Sequence, residues 1–399
     1  MSLDADGNIW AWGYNNWGQL GNNSSVLSSN VPVRVRDPNS PTDASKGLKA
    51  IQVSNGGGFS LAIDKGGNIW AWGYNGWGQL GNNTASGISD KNPVPVRVRD
   101  PASPTDASKG LKAVQVSAGG DHSLAIDKDG SAWAWGRNVY GQLGNNTTSP
   151  NSGTNSVPAR VRDPSSPTDA SKGLKAVQVS AGHEHSLAID KDGNTWAWGY
   201  NQRGQLGNNT TNSRAIAVKV YASTHSTSSA GPWLNTAQIS AGGYYSLSIG
   251  TDGYAKAWGD NGYGQLGDDS IPTGENNTKA QSLVPVPVML NLQPVITGVR
   301  FDQTAVSGLT RGEGGSVTVT TPAHQPGTVT VSVDYTLGGA PQKPDTSLRY
   351  TYLPAGVLPK AGGEGILLAL AAGMTGMGGV LASRRHRRET RRLLHASHE

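Results

Sequence analysis

Gly119-Gly120-Asp121-His122-Ser123-Leu124-Ala125-Ile126-Asp127-Lys128-Asp129-Gly130-Ser131-Ala132-Trp133-Ala134-Trp135-Gly136 is followed, five residues beyond its last glycine, by Gly141-Gln142-Leu143-Gly144. The Trp-Ala-Trp-Gly string inside it also occurs at 10–13, 70–73 and 196–199, and a decayed copy reads Lys256-Ala257-Trp258-Gly259. The second tryptophans, Trp12, Trp72, Trp135, Trp198 and Trp258, are 60, 63, 63 and 60 residues apart. Gly-Gln-Leu-Gly follows every copy, beginning at Gly18, Gly78, Gly141, Gly204 and Gly264. A fixed period of this length means a solenoid, a propeller or an array.

Each unit holds four short strand-like runs. In the second they are residues 48–54 (Leu-Lys-Ala-Ile-Gln-Val-Ser), 60–64 (Ser-Leu-Ala-Ile-Asp), 68–72 (Asn-Ile-Trp-Ala-Trp) and 94–98 (Val-Pro-Val-Arg-Val). Lys65-Gly66-Gly67 joins the middle two as a tight hairpin. Period-two alternation puts both indoles of Trp-Ala-Trp on one face and the alanine on the other, which suits sheets stacked face to face. No sustained helical period occurs in the first 290 residues. The pattern predicts an all-β chain whose residues 1–290 form a β-propeller.

The third unit, from Gly119 through Gly144, resembles the RCC1 repeat, the regulator-of-chromosome-condensation type. The resemblance implies a propeller scaffold and says little about activity, because such folds host many functions. Propellers of that type usually close with about seven blades, and five signature strands are present here. The chain opens at Met1-Ser2-Leu3-Asp4 directly ahead of the first Gly-Asn-Ile-Trp, which reads as an N-terminus cut short, with blades and a signal peptide upstream. Near-identical Asp-Pro-x-Ser-Pro-Thr-Asp-Ala-Ser-Lys-Gly-Leu-Lys-Ala segments at 37–50, 100–113 and 163–176 read as surface loops.

After the repeats the pattern changes. Val, Thr and Tyr alternate between glycines and prolines over residues 293–354, the mark of a small β-sandwich. Val295-Ile296-Thr297-Gly298-Val299-Arg300-Phe301 and the stretch from Thr320 to Val333 resemble the IPT/TIG group of immunoglobulin-like modules. Residues 358–399 then bring Leu358-Pro359-Lys360-Ala361-Gly362, the uncharged run 366–382, and arginines at 384, 385, 387, 388, 391 and 392. A helix of 17 residues spans about 25 Å, at the short end for a bilayer, and the arginines hold its far end in the cytoplasm. This order resembles an LPxTG-type cell-wall sorting signal of Gram-positive bacteria, with Ala361 where that family usually has Thr. It implies a transient transmembrane helix over 366–382, with sortase cutting after Ala361 and joining it to peptidoglycan.

Composition agrees with that organisation. The 399 residues include 12 Trp, 2 Phe, 55 Gly and 22 Pro, and the tryptophan excess is the repeat itself. With no Cys, disulfides, thiolate nucleophiles and Cys-ligated zinc are excluded. The formal charge of +5 is largely the tail: beyond Ala361 lie six Arg and three Glu, and without them 27 basic residues face 25 acidic ones. A nucleic-acid partner is therefore not expected, and no cofactor is either.

Chemistry along the repeats is sparse. His122 and His185 share a slot with Phe59 and Tyr245, so packing is the simpler role. The Asp-x-Asp-Gly runs at 127–130 and 190–193 mimic the start of a calcium loop but lack its later ligands, and read as turns. No nucleophile-elbow, zincin or phosphate-loop motif occurs. Asp121 and Glu184 are the acids near a blade entry that a secreted enzyme acting on polysaccharide would need.

The slot before Gly-Gln-Leu-Gly holds Trp17, Trp77, Tyr140, Arg203 and Tyr263. Its aromatic members are candidate stacking platforms for sugars or peptide side chains, and covering the neighbouring blade is the competing role. The reading that results is a non-enzymatic, sortase-anchored surface protein whose propeller binds an extracellular protein or glycan ligand. A nucleotide-exchange regulator fits an exported chain poorly.

Overall fold

The computed structural model describes residues 1–87, 89–149, 153–222, 232–274, 277–288, 295–306, 308–311, 317–337, 340–341, 343–352 and 366–368. The described residues contain strands and no helices. The chain divides into two compact units, Met1–Met289 and Leu290–Glu399.

The first unit is the predicted propeller. Each full blade is a four-stranded antiparallel meander. In the third, Gln115–Ala118, His122–Ile126, Ala132–Gly136 and Asn155–Arg160 follow one another in space as in sequence. The blade around Trp12 has three strands, Ser2–Leu3, Ile9–Tyr14 and Ser28–Arg34. Between the second and third strands the turn Asp is the organiser. Asp127 Oδ1 accepts from the backbone N–H groups of Asp129 and Ser131, and its Oδ2 accepts from Trp133 Nε1 at 2.9 Å. Trp10, Trp70 and Trp196 donate in the same way to Asp4, Asp64 and Asp190. With their oxygens occupied by donors, these carboxylates are turn anchors rather than calcium ligands.

The second tryptophan reaches across the seam. Trp72, Trp135, Trp198 and Trp258 donate to the backbone carbonyls of Gln19, Gln79, Gln142 and Gln205, each in the blade before, at 2.8–2.9 Å. Ser60, Ser123, Ser186 and Ser246 donate to the same four carbonyls. The last glycine of each Gly-Gln-Leu-Gly is required by this approach: a Cβ on Gly81, at φ +65°, would lie 2.7 Å from the Trp135 indole nitrogen. Behind the loop, the buried Asn138 accepts from the Leu143 N–H and donates to the Thr147 carbonyl, an arrangement repeated at Asn15, Asn75, Asn201 and Asn261 with their own loops.

Large-against-small packing fills the seams. Trp133 and Trp135 pack in one cluster with Leu61, Ile63 and Ala71 of the preceding blade, while Ala134 packs with Val179 and Trp198 of the next. The innermost strands are joined by side chains instead of a backbone ladder. The Gln115 amide accepts from the Val179 N–H and donates to the Val179 carbonyl, and Ser117 Oγ accepts from the Ala181 N–H.

In the second unit, Val295–Phe301, Gly327–Leu337 and Asp345–Tyr352 form the centre of one sheet, and Thr310–Arg311 and Val317–Val319 belong to another. Ile296, Val299, Phe301, Val317, Val319, Val329, Val331 and Val333 make a separate core. Ile366–Leu368, expected to begin a helical span, pairs as a strand with Val317–Val319. The rest of the apolar run, the pentapeptide 358–362 and the basic tail lie outside the described residues. Among the described residues no helix is long and apolar enough to cross a membrane.

Candidate functional site

The slot before Gly-Gln-Leu-Gly is a seam position. Its side chain meets the residue that follows Trp-Gly in the next blade. Trp17 lies 5.3 Å from Tyr74 between ring centroids, and Tyr140 lies 4.7 Å from Tyr200. The Arg137 guanidinium stands 5.3 Å from the Trp77 ring, and Arg203 reaches Asp260 at 3.7 Å. Four seams thus use two aromatic pairs, one cation–π pair and one ion pair. Trp17, Trp77 and Tyr140 are half-buried here, so the seam role is established for them whatever else they bind. Tyr263 stands largely exposed, its backbone N–H donating to Gln265 Oε1.

Two of these pairs, Trp77–Arg137 and Tyr140–Tyr200, merge into a ridge over the second to fifth blades. Arg137 also stands 5.9 Å from the Tyr140 ring. Tyr200 continues to Tyr244 at 5.6 Å, and Tyr244 to the His183 ring at 5.5 Å. The two repeat-breaking acids converge on the same arginine: Arg137 Nη1 is ion-paired with Glu184, and lies 3.9 Å from Asp121. Burial raises the Asp121 pKa, opposed by the positive charge of Arg137 and His183. Burial also raises Tyr200 and Tyr244, with neighbouring phenols and Glu184 adding to the effect, so both hydroxyls stay neutral donors. The ridge offers flat aromatic faces, phenolic donors and one shared cation. Both acids are tied to Arg137, which is an arrangement for recognition rather than for moving protons.

The histidine slot is packing. His122 and His185 are completely buried, and each Nε2 lies 2.9 Å from the Oγ of a serine in the next blade, Ser186 or Ser246. Those serines give their protons to the carbonyls of Gln142 and Gln205, so each histidine donates from Nε2. Burial, with smaller contributions from neighbouring positive charge, holds both pKa values down to about 3. Among the described residues no group of three or more His, Asp or Glu could hold a metal ion.

Sequence inspection singled out Trp77, Tyr140, Asp121 and Glu184 separately; the structure brings them together through Arg137. Tyr200, Tyr244, His183 and Arg137 itself were missed. Their signal is variation at three repeat positions, the one after Trp-Gly and the pair before the Ser-Leu strand, where the rest of the unit is nearly constant.

The chain belongs to the family described as the RCC1-like domain, whose model matches residues 1–321. It is 30% identical over 288 residues to the mitochondrial RCC1 domain-containing protein RUG3 of Arabidopsis thaliana, covering 70% of this chain and 56% of that protein. It is 28% identical over 260 residues to the ultraviolet-B receptor UVR8 of the same plant, covering 65% and 50%. The chain thus spans about half the length of these relatives. Among solved structures, human WBSCR16 superposes with a TM-score of 0.55 at 22% identity, covering 83% of this chain and 73% of that one. Yeast RCC1 (Prp20), solved bound to Kap60, gives 0.51 at 22% identity, covering 84% and 66%. Both show the shared fold.

Proposed function

We propose that this RCC1-like propeller is a non-enzymatic binding scaffold, displayed at a bacterial cell surface, with the aromatic–arginine ridge as its recognition surface. The observation that carries the reading is the ridge itself. Trp77, Arg137, Tyr140, Tyr200, Tyr244 and His183 lie in continuous ring-to-ring or cation–ring contact over four consecutive blades. Aromatic and arginine anchors on a rigid frame suit a protein or glycan ligand, since stacking area comes at low entropy cost. Display rests on the sequence alone: Leu358-Pro359-Lys360-Ala361-Gly362, the apolar run 366–382 and the arginines resemble a sorting signal, with sortase and peptidoglycan as the implied partners and Gram-positive bacteria as the implied source. The small β-unit after the propeller serves in this reading as an IPT/TIG-like spacer.

Binding is tested by presenting the purified chain to glycan and extracellular-matrix protein arrays, with Tyr244→Ala and Trp77→Ala as controls. Signal retained in both folded variants contradicts the ridge as the recognition surface. Display is tested by fractionating cells with and without sortase. Equal wall linkage in both contradicts it.

The second reading, a secreted enzyme acting on polysaccharide, draws on Asp121, whose raised pKa beside Glu184 resembles an acid–carboxylate pair. It requires turnover of a glycan by the wild-type chain and its loss in Asp121→Asn.

A further inference from the structure

The recognition role proposed for the ridge carries a finer specificity, which rests on that role and is set by one carboxylate and the rings beside it. Glu184 fills a repeat slot held by Gly58, Asp121 and Tyr244 in the second, third and fifth blades, so the fold itself does not require an acid there. Its Oε1 is held by Arg137 Nη1, while among the described residues its Oε2 takes no hydrogen bond. Asp121 meets the same guanidinium at 3.9 Å and also accepts from Gln79 Nε2 at 3.4 Å. Two carboxylates thus face one guanidinium, a formal charge of −1, and one further cation brings the group to zero. Glu184 is 7% exposed, so that cation must reach it past the surrounding rings.

Those rings keep their faces open. Tyr140 and Tyr200 are inclined at 57°, Tyr200 and Tyr244 at 59°, and Tyr244 and His183 at 65°, so none lies flat upon the next. Burial first, and then the Glu184 carboxylate, raise the Tyr244 pKa, which puts that carboxylate's field on the ring. An aromatic face attracts a cation through its quadrupole, and a carboxylate beside it adds a charge-assisted hydrogen bond. One free oxygen suits a point charge: a guanidinium needs two for its bidentate contact, and an ammonium needs one. Reaching a recessed oxygen also needs a slender stem, which a lysine side chain has and an amine fixed to a sugar ring lacks. We propose that the ridge receives a lysine side chain of a protein ligand, its ammonium on Glu184 Oε2 and its stem along Tyr200 and Tyr244.

The test is calorimetric titration of the whole chain with four probes: an N-acetylated pentalysine peptide, the same peptide acetylated on its side-chain amines, pentaarginine and a glucosamine hexamer. The lysine peptide is expected to bind at least about tenfold more tightly than the other three. Glu184→Gln and Tyr244→Ala are each expected to weaken it by about tenfold with the unfolding midpoint preserved, and Tyr244→Phe, which keeps the ring face, to stay within about threefold of wild type. Where Glu184→Gln lowers the midpoint, the contrast between the two Tyr244 variants decides. Equal binding of the side-chain-acetylated peptide, full binding by a folded Glu184→Gln protein, or a wild-type chain that binds none of the probes overturns the proposal. A Tyr244-dependent preference for the glucosamine hexamer, or for a neutral ligand on the arrays, overturns lysine recognition while the ridge stands as a recognition surface. The absence of any Tyr244-dependent ligand from probes and arrays alike removes the ridge reading itself.

Discussion

Trp135 donates its indole N–H to the backbone carbonyl of Gln79 across the seam between the second and third blades, at 2.8 Å. The same oxygen takes the Ser123 hydroxyl, so one carbonyl ties two strands of the next blade. Trp135→Phe removes the donor and leaves a void in a fully buried site. The expected cost is about 2–4 kcal/mol. Trp12→Phe, at the exposed counterpart, is expected to cost about 0.5 kcal/mol or less. Chemical denaturation of both variants checks the contrast.

Glycines in equivalent slots differ in the same way. A Cβ at Gly120 would lie 2.5 Å from the His183 carbonyl oxygen, and at Gly243 it would touch nothing. Gly120→Ala is therefore expected to destabilise by about 1–3 kcal/mol through overpacking, and Gly243→Ala to stay within about 0.5 kcal/mol of wild type. Thermal unfolding of the pair distinguishes a seam requirement from a general glycine effect.

The buried histidines make stability depend on pH. Their folded pKa values, about 3, lie below the ordinary 6.5, so the unfolded chain takes up protons first. Stability is complete above pH 6.5 and falls as pH drops toward 3, by about 1 kcal/mol per pH unit for each histidine. His122→Phe with His185→Phe, borrowing the residue at Phe59, is expected to flatten that slope. Urea midpoints between pH 7 and 4 measure it.

The turn aspartates titrate lower. Burial raises Asp127, but hydrogen bonds from Trp133 and the Ser131 and Asp129 backbone, with Lys175 nearby, outweigh it and leave the net shift downward. Its stabilisation is present above the unfolded value near 4 and lost as pH falls through the lower folded value. Asp127→Asn is expected to cost about 1 kcal/mol at neutral pH, allowing for the partial exposure of the site, and to remove that part of the acid sensitivity.

The blades were legible because the repeat carries its own alignment. Trp-Ala-Trp alternation implied the large-on-small stacking that Trp133 and Ala134 show. The positions of the turn, the hairpin and the histidine slot followed from spacing. The ridge was only half legible, because its contacts join residues about 60 apart from different blades, such as Tyr140 and Tyr200. A position-by-position reading sees Trp77 and Tyr140 as separate platforms, and only the seam geometry turns them into one surface through Arg137. The strand at Ile366–Leu368 was read as helix because a short apolar run has no periodicity to separate the two.

The claim that the ridge recognises a ligand, beyond joining the blades, is tested most directly by Tyr244→Ala. Tyr244 joins Tyr200 to His183 near the exposed end of the ridge, and its truncation leaves the four seam pairs intact. Array binding at least tenfold weaker, with the unfolding midpoint preserved, is the result this account predicts. Undiminished binding by a stably folded Tyr244→Ala protein would contradict it and leave the ridge as blade-to-blade packing alone.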